Sequence, residues 1–270
     1  MAVSNSAIGV FDSGIGGLTV AKAITSLLPN ERLVYFGDTA HLPYGDKSSE
    51  LIKSFSLGIS KWLIDDKDCK AVVIACNTAS AIAYEYLRDK HKGNIPIINV
   101  IDPIVEAVVK NESVKTIGLI ATKTTIESGV YQEKLSRRAP NVKVKALATP
   151  LLVPMIEEGF SNDKISETVI ENYLNAGALQ GIDSLILGCT HYPLIRSEID
   201  SFYKGKITLF DSTTIVANKL KSILANENLL SGKKESKNKF FVSDFTESFK
   251  RASRTFYKKE VSLKHKPLWD

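Results

Sequence analysis

Short apolar runs rich in β-branched residues alternate along this chain with longer segments of helical period. The apolar runs predict strands near 7–12, 32–36, 71–75, 95–100, 115–121, 142–147, 182–187 and 206–210. The clearest helical segment is 47–65, whose apolar residues form one stripe that consists of Leu51, Ile52, Phe55, Ile59, Trp62 and Leu63. Strands that alternate with helices are typical of βαβ units, so the pattern predicts an α/β fold built on parallel sheets.

One strand-to-helix design occurs twice. Segments 71–81 (AVVIACNTASA) and 184–194 (SLILGCTHYPL) both pass from an apolar strand through a small residue to a cysteine, which a threonine follows within two positions before a helix-like segment. Ligands of α/β proteins bind at the carboxyl ends of parallel strands, where backbone N–H groups and helix N-termini face them. The repeat therefore predicts two similar parallel-sheet α/β domains with the active site in the cleft between them.

The predicted domain boundaries lie near 100–102 and near 211–213, where a strand gives way to a new helix. The first α/β domain is expected to be discontinuous and to comprise 1–100 plus 213–270, with one more strand at 238–243. The second α/β domain is expected to comprise 101–212.

Composition restricts the class of protein. The chain has 270 residues, of which 44% are hydrophobic and 24% charged, as in ordinary globular proteins. No run approaches the ~18 apolar residues of a membrane span, and the start MAVSNSAIGV lacks the regions of a signal peptide. We therefore expect a cytoplasmic protein whose three cysteines are reduced thiols.

The positive charge is mild. The net charge is +5, and seven lysines and arginines lie between positions 250 and 266. A solvated basic face explains this run better than a nucleic-acid site, because only Phe256 and Tyr257 could stack on bases. We therefore expect no nucleic-acid partner.

The glycine-rich segment FDSGIGG at 11–17 directly follows the first predicted strand. Its glycines permit a tight turn and a close approach of backbone N–H groups to an anion. Thr19 stands where a dinucleotide fingerprint needs a third glycine, and no Walker lysine follows. A structural turn and a carboxylate-binding turn both fit. Asp12 could cap a helix, or it could accept a proton or orient a thiol.

Cys76 and Cys189 each stand at the end of a predicted strand. Taken alone, Cys76 fits a small buried apolar residue, but a helix N-terminus beside it would favour the thiolate that base chemistry needs. Asn77 and Thr78 supply neutral hydrogen-bonding partners for a carboxylate. His191 follows Cys189 by two positions and is a candidate partner of its thiolate.

Other uses of two cysteines and a histidine fit less well. A zinc site is disfavoured because no CxxC or HxxxH spacing occurs. A Cys–His hydrolase would leave the second cysteine unexplained. A dithiol redox enzyme stays open, although it would need both sulfur atoms in disulfide geometry. Cys69 has no comparable context and is predicted to be inert.

Two smaller segments carry further candidates. HLPYG at 41–45 is a loop stiffened by proline, in which the tyrosine and glycine offer backbone or phenol contacts, and a plain surface turn fits equally well. LVPMIEEG at 152–159 ends an apolar helical segment with two glutamates, where acidic side chains oppose the helix dipole. This placement indicates a functional carboxylate, although two exposed glutamates are the ordinary outcome.

Six motifs resemble, in order and spacing, those of the cofactor-independent aspartate/glutamate racemases. They are FDSGIGG (11–17), PYG (43–45), ACNTAS (75–80), LIATKTT (119–125), LVPMIEEG (152–159) and LGCTHYPL (187–194). The resemblance covers nearly the whole chain, and paired CNT and GCTH motifs are specific to this family. The histidine after the second Cys-Thr is similar to the glutamate enzymes, because related aspartate racemases typically carry an acid there.

The resemblance implies an isomerase with no cofactor and no metal, usually a homodimer, that supplies D-glutamate for peptidoglycan synthesis and thus for cell wall biogenesis and cell shape. It makes Cys76 and Cys189 the acid and base, with Asp12 supporting the former and Glu157 and His191 the latter. The residues that it implies for substrate binding are Asp12, Ser13, Pro43, Tyr44, Gly45, Asn77, Thr78, Thr122, Thr125, Thr190 and His191.

The resulting hypothesis is a two-base glutamate racemase. One thiolate removes the α-proton while the opposite thiol delivers a proton to the other face of the substrate. Two further classes stay open, namely a binding module for acidic amino acids and a partner-binding protein that uses its basic carboxyl-terminal helix. Inhibition of DNA gyrase is associated with some racemases of this kind.

Overall fold

The computed structural model describes residues 4–160, 163–232 and 237–269. The chain divides into two compact units, the first formed by Met1–Val100 and Thr213–Asp270 and the second by Ile101–Ser212. Each unit contains one sheet, and every strand pairing in both sheets is parallel. The predicted α/β fold with two parallel-sheet domains is therefore confirmed.

The strands are β1 Ile8–Asp12, β2 Leu33–Gly37, β3 Ala71–Ile74, β4 Ile97–Asn99, β5 Thr116–Ala121, β6 Lys143–Ala148, β7 Ser184–Gly188, β8 Thr208–Asp211, β9 Lys239–Val242 and β10 Leu263–His265. The α-helices are α1 Leu18–Leu27, α2 Ser49–Lys61, α3 Asn77–His91, α4 Ile101–Lys110, α5 Lys123–Glu127, α6 Val130–Arg138, α7 Leu152–Glu157, α8 Lys164–Leu174, α9 Arg196–Phe202, α10 Ser212–Asn226 and α11 Glu247–Tyr257. Each strand predicted from the sequence is present, with ends that differ by at most two residues.

Strands β1 to β4 of the first sheet have the same order as the four strands of the second sheet. The first sheet has the order β10-β9-β2-β1-β3-β4, and the second has the order β6-β5-β7-β8. In each unit the chain leaves its first strand toward one side and then returns to the other side. The reversal creates a switch point between β1 and β3 and another between β5 and β7, which is where open α/β sheets bind ligands.

The strands form as predicted because most of their residues are apolar and buried. β1, β2, β3 and β7 are buried along their whole length. Such runs of β-branched and aromatic residues are characteristic of parallel strands that are covered on both sides.

Helix α2 confirms the helical period in 47–65 but corrects one member of the apolar stripe. The hydroxyl of Ser48 caps the helix by accepting from the backbone N–H of Leu51 (3.4 Å). Most of the stripe packs in the core, namely Ile52, Ile59, Trp62 and Leu63, with Phe55 packed against them. Leu51, in contrast, is 46% exposed. Leu51 lies about 100° around the helix from Ile52 and so falls outside the buried face.

A buried ion pair between Glu31 and Lys70 lies against residues 229–231, which belong to the part of the chain that returns to the first unit. The ammonium of Lys70 lies 2.6 Å from a carboxylate oxygen of Glu31, and both side chains are almost fully buried. The same ammonium donates to the backbone oxygens of Ser4 and Leu229 and to the hydroxyl of Ser231 (3.0 Å). These bonds connect the amino end of β3 to the segment that leads into β9.

We expect the change Lys70→Met to lower the free energy of unfolding by about 3–5 kcal/mol, because it leaves the Glu31 carboxylate buried without its cation. The exposed pair between Arg254 and Glu260 (2.8 Å) in the same unit provides the control. The change Arg254→Met is expected to cost less than about 1 kcal/mol. Urea unfolding followed by circular dichroism measures both, and equal effects of the two changes would contradict the expected cost of the unpaired carboxylate.

Candidate active site

The two cysteines occupy equivalent places in their sheets. Cys76 follows β3 and Cys189 follows β7, so each lies at the carboxyl end of the strand that flanks its switch point. Each side chain is 6% exposed. Both thiols are thus placed where a parallel sheet presents backbone donors to a ligand, and both are shielded from bulk water.

Cys76 caps a helix. Its sulfur accepts from the backbone N–H of Ala79 (3.4 Å), and the N-terminus of α3 follows directly. The sulfur also lies 3.5 Å from the hydroxyl oxygen of Ser13. An amide donor and the positive end of a helix dipole both stabilise a thiolate. The predicted helix N-terminus beside this cysteine is present.

The glycine-rich segment brings Asp12 to the same edge as Cys76. Asp12 ends β1 and is fully buried, and one of its carboxylate oxygens accepts from the backbone N–H of Gly14 (2.9 Å). A Cβ atom at Gly17 would lie 2.6 Å from the Cβ of Asp12, and one at Gly37 would lie 2.2 Å from the backbone oxygen of Gly14. Close packing at the ends of β1 and β2, rather than a left-handed backbone, therefore requires these glycines.

The loop after β2 uses its tyrosine internally. The phenol of Tyr44 donates to a carboxylate oxygen of Asp38 (2.7 Å), and both side chains are buried. Burial and then the charge of Asp38 raise the pKa of Tyr44 well above its usual value. Pro43 is exposed and Gly45 is half-buried. Of the predicted backbone or phenol contacts, the phenol hydrogen is thus committed to Asp38.

Asn77 and Thr78 lie in the first turn of α3, directly after the cysteine, and are buried. The next serine, Ser80, donates to the backbone oxygen of Ile74 (3.0 Å) and accepts from the backbone N–H of Val100 (3.3 Å). These bonds tie the first turn of α3 to the ends of β3 and β4. The predicted amide and hydroxyl groups therefore stand on a fixed helix end.

In the second unit, Cys189, His191 and Glu157 form a chain of polar contacts. The sulfur of Cys189 lies 3.6 Å from Nδ1 of His191, and Nε2 of His191 lies 2.8 Å from a carboxylate oxygen of Glu157. Glu157 is the last residue of α7, and Glu158 beyond it is exposed. The sequence motif placed two glutamates here, and the structure brings one of them to the histidine.

The imidazole of His191 is the most strongly perturbed base of this group. Burial by itself lowers its pKa, but the hydrogen bond and charge of Cys189, followed by those of Glu157, outweigh burial and raise the pKa to about 10. This raised pKa favours the imidazolium form of the ring near neutral pH. An imidazolium 3.6 Å from sulfur attracts the negative charge that develops there during proton transfer.

The segment after Cys189 differs from the prediction. A 3₁₀ turn at Tyr192–Ile195 follows Thr190 and His191, and the α-helix begins only at Arg196. The two cysteines consequently have different surroundings, with a helix N-terminus at Cys76 and an imidazolium at Cys189. The sequence repeat alone suggested helical segments of the same kind after both.

The predicted threonines stand at the same edge of the second sheet. Thr122 follows β5 and caps α5, and its hydroxyl lies 2.9 Å from that of Thr125. Thr190 follows Cys189, and its hydroxyl lies 3.5 Å from Nδ1 of His191. These residues bring hydroxyl groups to the ends of β5 and β7, the strands that border the switch point.

Sequence reasoning missed two buried contacts at these edges. One is Asp38, which directly follows β2. The other is the pair of Thr149, after β6, with Tyr192, whose hydroxyl oxygens lie 2.6 Å apart. A polar residue directly after an apolar strand is the signal that could have found Asp38 and Thr149, because such residues gather at one edge of a parallel sheet.

The remaining sequence candidates have structural surroundings. Cys69 is buried, and burial is the main cause that raises its pKa to about 12. Phe256 and Tyr257 are buried rather than offered to a base, and Tyr257 packs edge-on against Phe240. Within the described ranges, no three His, Cys, Asp or Glu side chains are grouped so that they could hold a metal ion. No helix of those ranges is long and apolar enough to cross a membrane.

The chain is similar to known racemases. Residues 8–220 match the model of a family described as Asp/Glu/Hydantoin racemase. A glutamate racemase from Aquifex aeolicus is 42% identical over 258 residues, which cover 95% of this chain and 96% of that protein. One from Neisseria meningitidis serogroup A is 41% identical over 250 residues, or 92% of each chain. The crystal structure of glutamate racemase from Francisella tularensis in complex with D-glutamate is 40% identical with a TM-score of 0.91, and the match covers 98% of this chain and 99% of that one.

We expect His191 to titrate near pH 10 and His91 below pH 6.5, because burial lowers the pKa of His91 whereas Cys189 and Glu157 raise that of His191. The change Glu157→Gln should lower the pKa of His191, since it removes a negative charge 2.8 Å from the ring, and should leave His91 unchanged.

Proton NMR resolves the imidazole signals of the four histidines, and a His191→Asn variant assigns the signal of interest. A His191 that titrates near 6.5, or one that does not respond to Glu157→Gln, would show that the contacts around Cys189 do not control this proton.

Proposed function

The chain belongs to the Asp/Glu/hydantoin racemase family and is an isomerase, and we propose that it interconverts L-glutamate and D-glutamate with Cys76 and Cys189 as its acid and base. The observation that carries the proposal is the equivalent placement of the two thiols. Each follows the third strand of its unit, and β1 to β4 have the same order in the first sheet as β5 to β8 have in the second. The presence of one such thiol in each unit suits a reaction that needs a proton on either face of one carbon.

Glutamate is the proposed substrate for two reasons. Relatives that are more than 40% identical over at least 92% of both chains are glutamate racemases. The residue after Cys189 and Thr190 is His191, where the aspartate enzymes typically carry an acid. We propose that the amino acid is held by Asp12, Ser13, Pro43, Tyr44, Gly45, Asn77, Thr78, Thr122, Thr125, Thr190 and His191.

The proposed reaction transfers two protons and changes no oxidation state. The thiolate on one side takes the α-proton, and the electron pair of the C–H bond passes to the carbon and its carboxylate. The thiol on the other side gives its proton to the opposite face, which inverts the stereocentre and leaves a thiolate there. Reaction of the product enantiomer restores the first state. Desolvation and preorganised donors have to lower the barrier, because the α-proton is far less acidic than a thiol.

The residues around each thiol support different parts of this reaction. The helix N-terminus at Cys76 offers backbone N–H groups to the negative charge that develops on the substrate carboxylate. Asp12 is proposed to assist Cys76 from the adjacent strand end. At Cys189, the imidazolium of His191 stabilises the negative charge that remains on sulfur after the thiol has delivered its proton. Glu157 holds that imidazole in position.

We expect Cys76→Ser and Cys189→Ser each to reduce kcat by about 10³-fold, because each removes one half of the acid–base pair. Circular dichroism of L-glutamate and D-glutamate without added cofactor measures racemisation. In deuterated water, each variant should exchange the α-proton from one enantiomer only, and the two variants should prefer opposite enantiomers.

The buried thiol Cys69 provides the control, and Cys69→Ala should retain full activity. Full racemisation by either serine variant would contradict the two-base reaction. Wild-type protein that binds glutamate without turnover would instead identify a binding module, and faster turnover of L-aspartate or a hydantoin would reassign the substrate.

We further propose that the enzyme is a cytoplasmic homodimer that supplies D-glutamate for peptidoglycan synthesis, and hence for cell wall biogenesis and cell shape. The resemblance in sequence supports this role. Growth of a bacterial strain that requires D-glutamate, with the wild-type gene and with Cys76→Ser, tests the supply of D-glutamate. Sedimentation velocity tests the dimer.

A further inference from the structure

A buried carboxylate that the reaction itself does not use stands beside the first cysteine's site. Asp38 follows β2 and is fully buried. Tyr44 donates to one of its carboxylate oxygens (2.7 Å), while the hydroxyl of Ser243 (2.8 Å) and the indole N–H of Trp269 (3.2 Å) donate to the other. Nδ1 of His41 lies within 3.0 Å of both oxygens. Three donors and the imidazole nitrogen of His41 thus surround a carboxylate that has roughly four lone-pair sites, so groups of the protein itself contact both oxygens of Asp38.

Strand order explains why Asp38 lies next to the site. The sequence of neighbours β9-β2-β1-β3 places Ser243, Asp38, Asp12 and Cys76 along one edge of the first sheet. The backbone N–H of Asp38 donates to the backbone oxygen of Asp12 (3.0 Å). Asp38 thus lies one strand away from Asp12 and two strands away from Cys76, so it would act through other groups rather than on the substrate.

Tyr44 is the group through which Asp38 reaches the site. Its phenol donates to Asp38 (2.7 Å), and Tyr44 lies within residues 43–45, which are among those proposed to hold the amino acid. The charges of Cys76 and Asp12 also raise the pKa of Tyr44, although burial and the nearer charge of Asp38 raise it more. The Asp38–Tyr44 hydrogen bond therefore holds the Tyr44 side chain, and with it residues 43–45, in one position.

The carboxyl-terminal part of the chain in turn fixes Asp38. Besides donating to Asp38, the hydroxyl of Ser243 accepts from the backbone N–H of Ala40 (2.9 Å). The hydroxyl of Thr39 donates to the backbone oxygen of Asp244 (2.5 Å) and accepts a hydrogen bond from the backbone N–H of Asp244 (2.9 Å). Ser243 and Asp244 are thus hydrogen-bonded to Thr39 and Ala40, the two residues that directly follow Asp38.

Trp269 closes the group from the other side. Its indole packs edge-on against Phe55 and against His41, with ring centroids 5.3 Å and 5.4 Å away. Gly58 makes room for it, because a Cβ atom there would lie 2.6 Å from the indole ring. The indole N–H is directed to Asp38 by this packing.

We propose that Asp38 is a positioning residue for substrate binding, set by Ser243 and Trp269, so that the carboxyl-terminal segment is part of the binding apparatus. The proposal rests on the racemase activity proposed above. It assigns Asp38 no contact with substrate and no proton transfer. Loss of a donor should therefore weaken binding more than it slows the chemical step.

The test compares single donors. We expect Ser243→Ala and Trp269→Phe each to raise KM for glutamate about fivefold, and Asp38→Asn about tenfold, with kcat within about twofold of wild type, as for loss of uniform binding. Ser243→Thr keeps the hydroxyl and should restore the wild-type KM. Ser253→Ala is the matched control, because Ser253 is a buried serine of the same carboxyl-terminal part whose hydroxyl donates to the backbone oxygen of Lys250 (2.8 Å) rather than to Asp38.

A spectroscopic readout keeps the proposal separate from the racemase activity. The chain has two tryptophans, and Trp269→Phe assigns their indole N–H signals. Asp38→Asn should shift the Trp269 signal upfield and leave the Trp62 signal in place. This result is expected whether or not the wild-type protein racemises glutamate. A lack of racemisation would overturn only the proposed function.

Three outcomes would overturn the positioning role. They are wild-type KM in both Ser243→Ala and Trp269→Phe, a fall in kcat with unchanged KM, and a KM change in Ser253→Ala equal to that in Ser243→Ala. If Asp38→Asn does not fold, the serine and tryptophan variants decide the question, because each removes one donor and leaves the carboxylate paired.

Discussion

All strands of each sheet run in the same direction, and the placement of the chemistry depends on this constraint. Parallel strands end at one edge, so polar residues that follow strands far apart in sequence become neighbours. In the first sheet this edge carries Asp12, Asp38, Cys76 and Ser243. In the second it carries Thr122, Thr149 and Cys189. The apolar strands fix the edge, and residues at the strand ends or within two positions beyond them bring the polar and thiol groups to it.

Each of the two edges carries a cysteine thiol, but the groups that stabilise its thiolate differ. Cys76 has an amide donor and a helix N-terminus, whose charge does not change with pH. Cys189 has the imidazolium of His191, whose charge is lost as pH rises through its pKa of about 10. A duplicated fold has thus acquired two unlike thiol environments. This difference suits a reaction in which one thiol has to be deprotonated while the other keeps its proton.

Local sequence was sufficient to predict strands β1 to β9, the helix at α2 and the place of both thiols at strand ends, because each depends on neighbours within a few residues, whereas the short edge strand β10 was not predicted. Leu51 was wrongly included in the buried stripe, since periodicity alone does not locate the edge of a buried face. The raised pKa of His191 was not predictable from local sequence, because burial lowers it whereas the contacts with Cys189 and Glu157 raise it. Asp38 was missed because Ser243 and Trp269, which saturate it, lie more than 200 positions away.

The discontinuity of the first unit has a consequence for biosynthesis. A ribosome completes Ile101–Ser212 as one continuous stretch, so the second unit has all of its strands while the first still lacks β9 and β10. The nascent first unit then exposes the open side of β2, and Asp38 lacks two of its donors, until the last part of the chain is translated. Domains generally fold as units during synthesis. Here the order of maturation is reversed relative to the order of translation, because the half that is started first is finished last.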